Sequence, residues 1–231
     1  MKTIGILGGM GPVATGEFFN RIMSLCQKWH GAVQDGDYPP ISVYSMSLQG
    51  SNESGIKNEK VLEREFLEGI EELGMTKCDF VTIPCNTAHH FIAQMKKKTR
   101  VPIISITDET VARVEKEKMK RIGLLASEST YIHKVYGKPF ASHHIEVVEP
   151  TDEEKRILTR MVLHVMGGKL SSRDKADMKT IVSRMKREDK IQAVVVGCTE
   201  LSLVLKTDEY PTRAFDALDV LAEAAVTEAY K

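Results

Sequence analysis

No stretch of this sequence approaches the roughly 18 consecutive apolar residues that a membrane-spanning helix needs. It has no net charge either. The 32 Lys and Arg balance 32 Asp and Glu, which removes the electrostatic case for nucleic acid or an anionic membrane surface as partner. Cysteine is scarce: Cys26, Cys78, Cys85 and Cys198 form no CxxC pair, so neither a disulfide framework nor a tightly spaced zinc site is indicated. The opening, Met1-Lys2-Thr3-Ile4-Gly5-Ile6-Leu7, runs straight into a glycine turn and is too short for the apolar core of a secretory leader. A cytoplasmic setting is expected. What is there is ordinary for a globular chain. With 42% hydrophobic and 28% charged residues over 231 positions, it suffices for one large or two small cores and is too apolar for disorder.

The most informative stretch is Phe80-Val81-Thr82-Ile83-Pro84-Cys85-Asn86-Thr87-Ala88-His89. An apolar run bounded by turn residues reads as a buried strand of a parallel sheet. Cys85 then falls at the carboxyl edge of that sheet, where open α/β proteins bind ligands. The chain repeats the device at Ala193-Val194-Val195-Val196-Gly197-Cys198-Thr199-Glu200-Leu201. Cys26 and Cys78 fall in a helical pattern and ahead of a strand, and read as packing residues.

In order, Thr3–Leu7 reads as a strand, Gly8-Gly9-Met10-Gly11-Pro12 as a turn and Thr15–His30 as a helix. The turn matches G-x-G-x-x-A, yet the next strand, Pro40–Met46, lacks a terminal acid for a ribose, and Pro12 removes an amide a pyrophosphate would use. A tight turn letting backbone approach something small is the better reading. Ser47–Gly55 reads as a surface loop, Lys57–Leu73 as a charged amphipathic helix, and Ala88–Lys97 as the helix after Cys85. After the short strand Val101–Ile106 and the helical segment Asp108–Lys118, Arg121-Ile122-Gly123-Leu124-Leu125-Ala126-Ser127 echoes the first strand and its small-residue exit. One helix over Thr130–Phe140, a strand at Ile145–Val148, helices Asp152–Met166 and Ser172–Lys186, the Cys198 strand and a helix from Ala217 to Lys231 follow. A period of about 115 residues is too long for a solenoid and suits two α/β units. The expected fold is therefore two similar Rossmann-like domains with parallel-sheet cores, facing each other with one cysteine from each at the cleft.

A thiol at a helix N-terminus gains from the dipole and free amides, which favours its thiolate. Asn86, Thr87 and Thr199 have the chemistry to cap such helices or to bind an anion. His89, four residues after Cys85, reads more readily as a packing or hydrogen-bonding residue than as a catalyst. Two matched thiols across a cleft suit racemisation of a carbon acid, which needs a base on one face and an acid on the other. Their protonation would be coupled and would swap with each turnover.

Gly8-Gly9-Met10-Gly11-Pro12, Pro84-Cys85-Asn86-Thr87-Ala88-His89 and Gly197-Cys198-Thr199-Glu200-Leu201 together resemble the three signatures of the aspartate/glutamate racemase family, nearest its aspartate racemase branch. The resemblance covers essentially the whole chain, including Gly123-Leu124-Leu125-Ala126 and Phe215-Asp216. It implies an isomerase without pyridoxal phosphate, other cofactor or metal, usually a homodimer, with a small acidic amino acid as substrate. It also implies that the last helix returns to the first domain, giving domains 1–106 plus 211–231 and 107–210. Carried over by position, Cys85 and Cys198 are the two bases. Met10, Asn86, Thr87, Ser127, Thr130 and Thr199 fall at substrate-binding positions. Glu200 matches the motif, and Lys169 falls where a basic residue meets the distal carboxylate. Ser127 stands where a threonine is more usual. Gln49 stands where some aspartate racemases have an arginine, and a neutral amide selects a carboxylate less strongly than a bidentate guanidinium. Aspartate, glutamate or a broader range of amino acids stays open as substrate, as do hydantoin racemisation, other activities of related enzymes, and a non-catalytic binder of acidic amino acids.

Overall fold

The computed structural model describes residues 1–52 and 55–231; Glu53 and Ser54 of the expected Ser47–Gly55 loop lie outside the described residues. The chain divides into two compact units, Met1–Ile106 with Leu218–Lys231, and Thr107–Ala217.

The first unit is built on a parallel sheet. Its strand β1 (Ile4–Gly8) is buried along its whole length, as expected of an apolar run with neighbours on both sides. Helix α1 (Pro12–His30) follows. It starts three residues ahead of the sequence expectation, because proline's fixed φ and missing N–H suit the first helical position. Edge strand β2 (Ile41–Ser45) pairs with β1 from Ile4↔Ile41 to Gly8↔Ser45. Within the expected loop, β3 (Ser51–Asn52) and β4 (Gly55–Ile56) form a minimal antiparallel pair. Helix α2 (Glu59–Met75) is capped by Asn58, whose side chain accepts the Val61 N–H. Its Leu62, Phe66, Ile70 and Leu73 pack with Leu7, Met46 and Val81 into one core. Then come β5 (Phe80–Thr82), α3 (Ile92–Lys98) and β6 (Ile103–Ile104), completing the order β2-β1-β5-β6.

Helix α4 (Ile106–Lys116) leads into β7 (Arg121–Ala126), α5 (Glu128–Ile132), α6 (Gly137–Ser142) and β8 (Glu146–Val148). The expected single helix over Thr130–Phe140 is therefore two short ones. The Tyr131 hydroxyl donates to the Leu124 carbonyl and accepts the Ala126 N–H, both at 2.8 Å, which ties α5 to the end of β7. Tyr136 is fully buried and stacks on Phe140, so α6 is anchored separately. Helices α7 (Asp152–Met166) and α8 (Ser172–Glu188) each open with a reciprocal cap, Thr151 with Glu154 and Ser171 with Asp174. Strands β9 (Ala193–Gly197) and β10 (Arg213–Asp216) complete a parallel sheet ordered β10-β9-β7-β8. In each unit the strands thus run second-first-third-fourth.

The last helix, α9 (Ala217–Ala229), is held by the first unit. The Lys2 N–H donates to the Ala229 carbonyl at 2.8 Å, Arg21 pairs with Asp219 at 2.8 Å, and Lys2 pairs with Glu228. Just beyond it, Tyr230 stacks on His30 at 3.6 Å and donates to the Asp37 carbonyl. Among the described residues no helix is long and apolar enough to cross a membrane.

Candidate active site

In a parallel sheet ordered second-first-third-fourth, the connections from the first and third strands leave in opposite directions. The carboxyl ends of those two neighbours therefore form the topological switch point where ligands bind. In the first unit they are β1 and β5, paired through Ile6↔Thr82, and their exits carry Met10, Cys85, Asn86 and Thr87. In the second they are β7 and β9, paired through Ala126↔Gly197, and their exits carry Ser127, Thr130, Cys198, Thr199 and Glu200. The two cysteines occupy equivalent places, each just beyond the third strand of its sheet. Gln49 and Lys169 lie elsewhere: both are exposed, Gln49 beyond β2 with its N–H on Glu65 at 2.8 Å, and Lys169 in the α7–α8 turn with its N–H on the His164 carbonyl at 2.7 Å.

At the β1 exit, Gly9 has φ +94°, and a Cβ there would meet the Met46 carbonyl oxygen at 2.1 Å. Only glycine fits. The Thr15 hydroxyl accepts the Gly9 N–H and donates to the Gly11 carbonyl, both at 3.0 Å, and fixes the turn from within α1. Met10 and Cys85, both half-buried, pack against the same core. Asp37 accepts the amides of Val33 and Gln34, so this loop acid is engaged by local backbone.

The segment after Cys85 departs from the expected helix. Thr87–Phe91 is a 3-10 turn, and α-helical geometry begins only at Ile92. His89 explains the difference. Its backbone N–H bonds the Asn86 carbonyl, three residues back, while its ring Nδ1 takes the Cys85 carbonyl, four residues back, at 2.9 Å. The other ring nitrogen, Nε2, accepts the Ile106 N–H at 3.1 Å. An acceptor at Nε2 places the proton on Nδ1. Buried His89 therefore braces the Cys85 loop against the start of α4, in keeping with its reading as a hydrogen-bonding residue.

At the second exit, Cys198, Thr199 and Glu200 are all buried. The Cys198 thiol donates to Glu200 Oε2 at 3.2 Å, and the Thr199 hydroxyl donates to the same oxygen at 3.2 Å. The expected dipole-stabilised thiolate is not the species favoured here. The chain leaves Cys198 through two 3-10 turns, Leu201–Leu203 and Thr207–Glu209, rather than an α-helix. Burial pushes the thiol well up, the Glu200 charge adds to the rise, and the amides of Leu201 and Glu200 offset only part of it. Sequence reading left the role of Glu200 open; the Cys-x-Glu spacing was the available signal. Ser127 caps α5 and lies 3.0 Å from the buried Thr130 hydroxyl. Cys26 and Cys78 are buried thiols, also pushed up by burial.

The sequence and the fold are similar to those of known proteins. The model of the Asp/Glu/Hydantoin racemase family matches residues 7–225. The broad-specificity amino-acid racemase RacX of Bacillus subtilis is 26% identical over 224 residues, covering 97% of this chain and 96% of that protein. Among solved structures, Picrophilus torridus aspartate racemase superposes with a TM-score of 0.84 at 22% identity over 100% of this chain and 95% of its own. An aspartate racemase homologue from Pyrococcus horikoshii gives 0.84 at 23% over the full length of both. Glutamate racemase from Francisella tularensis gives 0.74 at 14%, over 99% of this chain and 81% of its own. The chain belongs to the Asp/Glu/hydantoin racemase family and is an isomerase of the racemase type.

Proposed function

We propose that this enzyme interconverts the L and D forms of a small acidic amino acid, aspartate or glutamate, without a cofactor, using Cys85 and Cys198 as a thiol/thiolate pair. The observation that carries this reading is the equivalence of the two cysteines, each at the switch point of a sheet of the same strand order. In the reaction one thiolate takes the α-proton and becomes a thiol. The electron pair stays on the substrate, delocalised into its α-carboxylate, and the other thiol returns a proton to the opposite face. Each turnover leaves the pair swapped, and matched groups serve both directions. Met10, Asn86, Thr87, Ser127, Thr130 and Thr199 would hold the amine and the α-carboxylate, where negative charge builds as the α-proton leaves. Lys169, although away from the strand exits, would meet the distal carboxylate, as the family resemblance implies. The working enzyme is a homodimer in a reducing cytoplasm, an assembly that light scattering of the purified protein checks.

The test is proton NMR of L-aspartate and L-glutamate in deuterated buffer with no added cofactor. The α-proton signal is expected to vanish and the D enantiomer to appear on chiral analysis. C85S and C198S, each with unchanged circular dichroism, should lose about 10²–10⁴-fold in rate. Full activity in either variant, or a bound acidic amino acid that never exchanges, would overturn this mechanism.

A broader substrate range is a second reading, favoured by Gln49. A neutral amide at that position gives weaker discrimination for a carboxylate side chain, and a relative of this chain is named for broad specificity. Running the same assay over neutral and basic amino acids separates the two.

A further inference from the structure

We infer that Glu200 is a positioning residue for Cys198, its carboxylate holding the thiol proton and making the sulfur a stronger base once that proton has left. This rests on the two-thiol reading above. Two donors converge on Oε2, the Cys198 S–H and the Thr199 hydroxyl, each at 3.2 Å. A carboxylate oxygen accepts both, the thiol and the hydroxyl each supplying the proton. Glu200 and Cys198 are both buried, so the interaction is little screened by water.

Other titratable side chains of the second unit are otherwise engaged. Tyr131 from α5 and Tyr136 from the segment before α6 are held as neutral phenols, both pushed up by burial. Asp216, at the end of β10, accepts the Ser202 hydroxyl at 2.6 Å. Glu154 of α7 pairs with Arg184 of α8. Glu200 is the carboxylate in contact with the sulfur.

When Cys198 acts as the acid, its S–H bond breaks, the proton passes to the α-carbon, and the pair left on sulfur becomes a thiolate beside a carboxylate. When it acts as the base, that thiolate takes the α-proton and the S–H bond reforms toward Glu200. An α-hydrogen of an amino acid is a very weak acid, so a thiolate raised in energy by a neighbouring charge is better matched to it. The amides of Glu200 and Leu201, directed at the sulfur, keep the thiolate attainable.

Glu200→Gln preserves shape and an accepting oxygen but removes the charge. The measurement is a pH titration of thiolate ultraviolet absorbance, taken for each protein as the difference from its Cys198→Ser counterpart. The Cys198 midpoint is expected to fall by about 1 unit or more in Glu200→Gln, with racemisation slowed about tenfold or more. Glu200→Asp, which keeps the charge one methylene further back, should lie between and serves if the glutamine variant does not fold. An unmoved midpoint in a folded variant overturns the inference, whatever happens to the rate. Absence of racemisation in the unsubstituted enzyme would instead overturn the two-thiol reading, while the midpoint still reports on the pair.

Discussion

At the scale of single residues, the chemistry is set by what each side chain is already bonded to. Both cysteines were visible in the sequence as residues ending apolar runs. Their surroundings were not, because a thiol's ionisation depends on burial and on charges brought close by folding. Cys198 shows this: its neighbours suggested a dipole-stabilised thiolate, and the folded chain buries it against Glu200 instead. His89 shows the reverse case, a histidine one turn from a cysteine whose two ring nitrogens are taken by backbone. Gly9 carries a sharp prediction at this scale. Gly9→Ala forces a Cβ to within 2.1 Å of the Met46 carbonyl oxygen at a φ that L residues rarely adopt. It should lower the urea midpoint by the equivalent of about 2 kcal/mol or more, and displace Met10 with the turn.

At the scale of elements, long amphipathic helices were legible and short connecting turns were not. Helices α7 and α8 were expected at Asp152–Met166 and Ser172–Lys186, and the folded chain closes their starts with Thr151 and Ser171 as caps. The 3-10 turn after Cys85 depends on the His89 ring taking a carbonyl that an α-helical bond would use, which periodicity cannot register. The α7–α8 turn carries a pH prediction. Burial pushes the Asp174 carboxyl up, but the Ser171 hydroxyl at 2.6 Å, His164 at 3.0 Å and the Ser171 amide hold it down to about 2, against 3.8 ordinarily. A depressed carboxyl stabilises the fold above its ordinary value, and that contribution drains away as pH falls from 3.8 through about 2. The shift is equivalent to about 2 kcal/mol. Asp174→Asn should therefore cost roughly that amount at neutral pH and progressively less below about pH 4, as read from urea midpoints at the two conditions.

At the scale of the molecule, removing residues 218–231 should disable the first unit. The deletion takes away the fully buried Leu218, Leu221 and Val226 and the Arg21–Asp219 and Lys2–Glu228 pairs. Each such side chain is worth about 1.5–3 kcal/mol on burial, so together they rival a typical domain's entire stability. The truncated chain should bind a hydrophobic dye and lose cooperative unfolding; deleting only exposed Lys231 should change neither. The sequence by itself determined that there are two α/β halves and that each places a cysteine just past a buried strand, because apolar runs, turn residues and spacing are local properties of the chain. Tertiary structure alone decided that β1 lies beside β5 and β7 beside β9, and that Glu200 folds back onto Cys198. Strand pairing and side-chain partners are chosen by contacts between residues far apart in sequence, and no local window contains them.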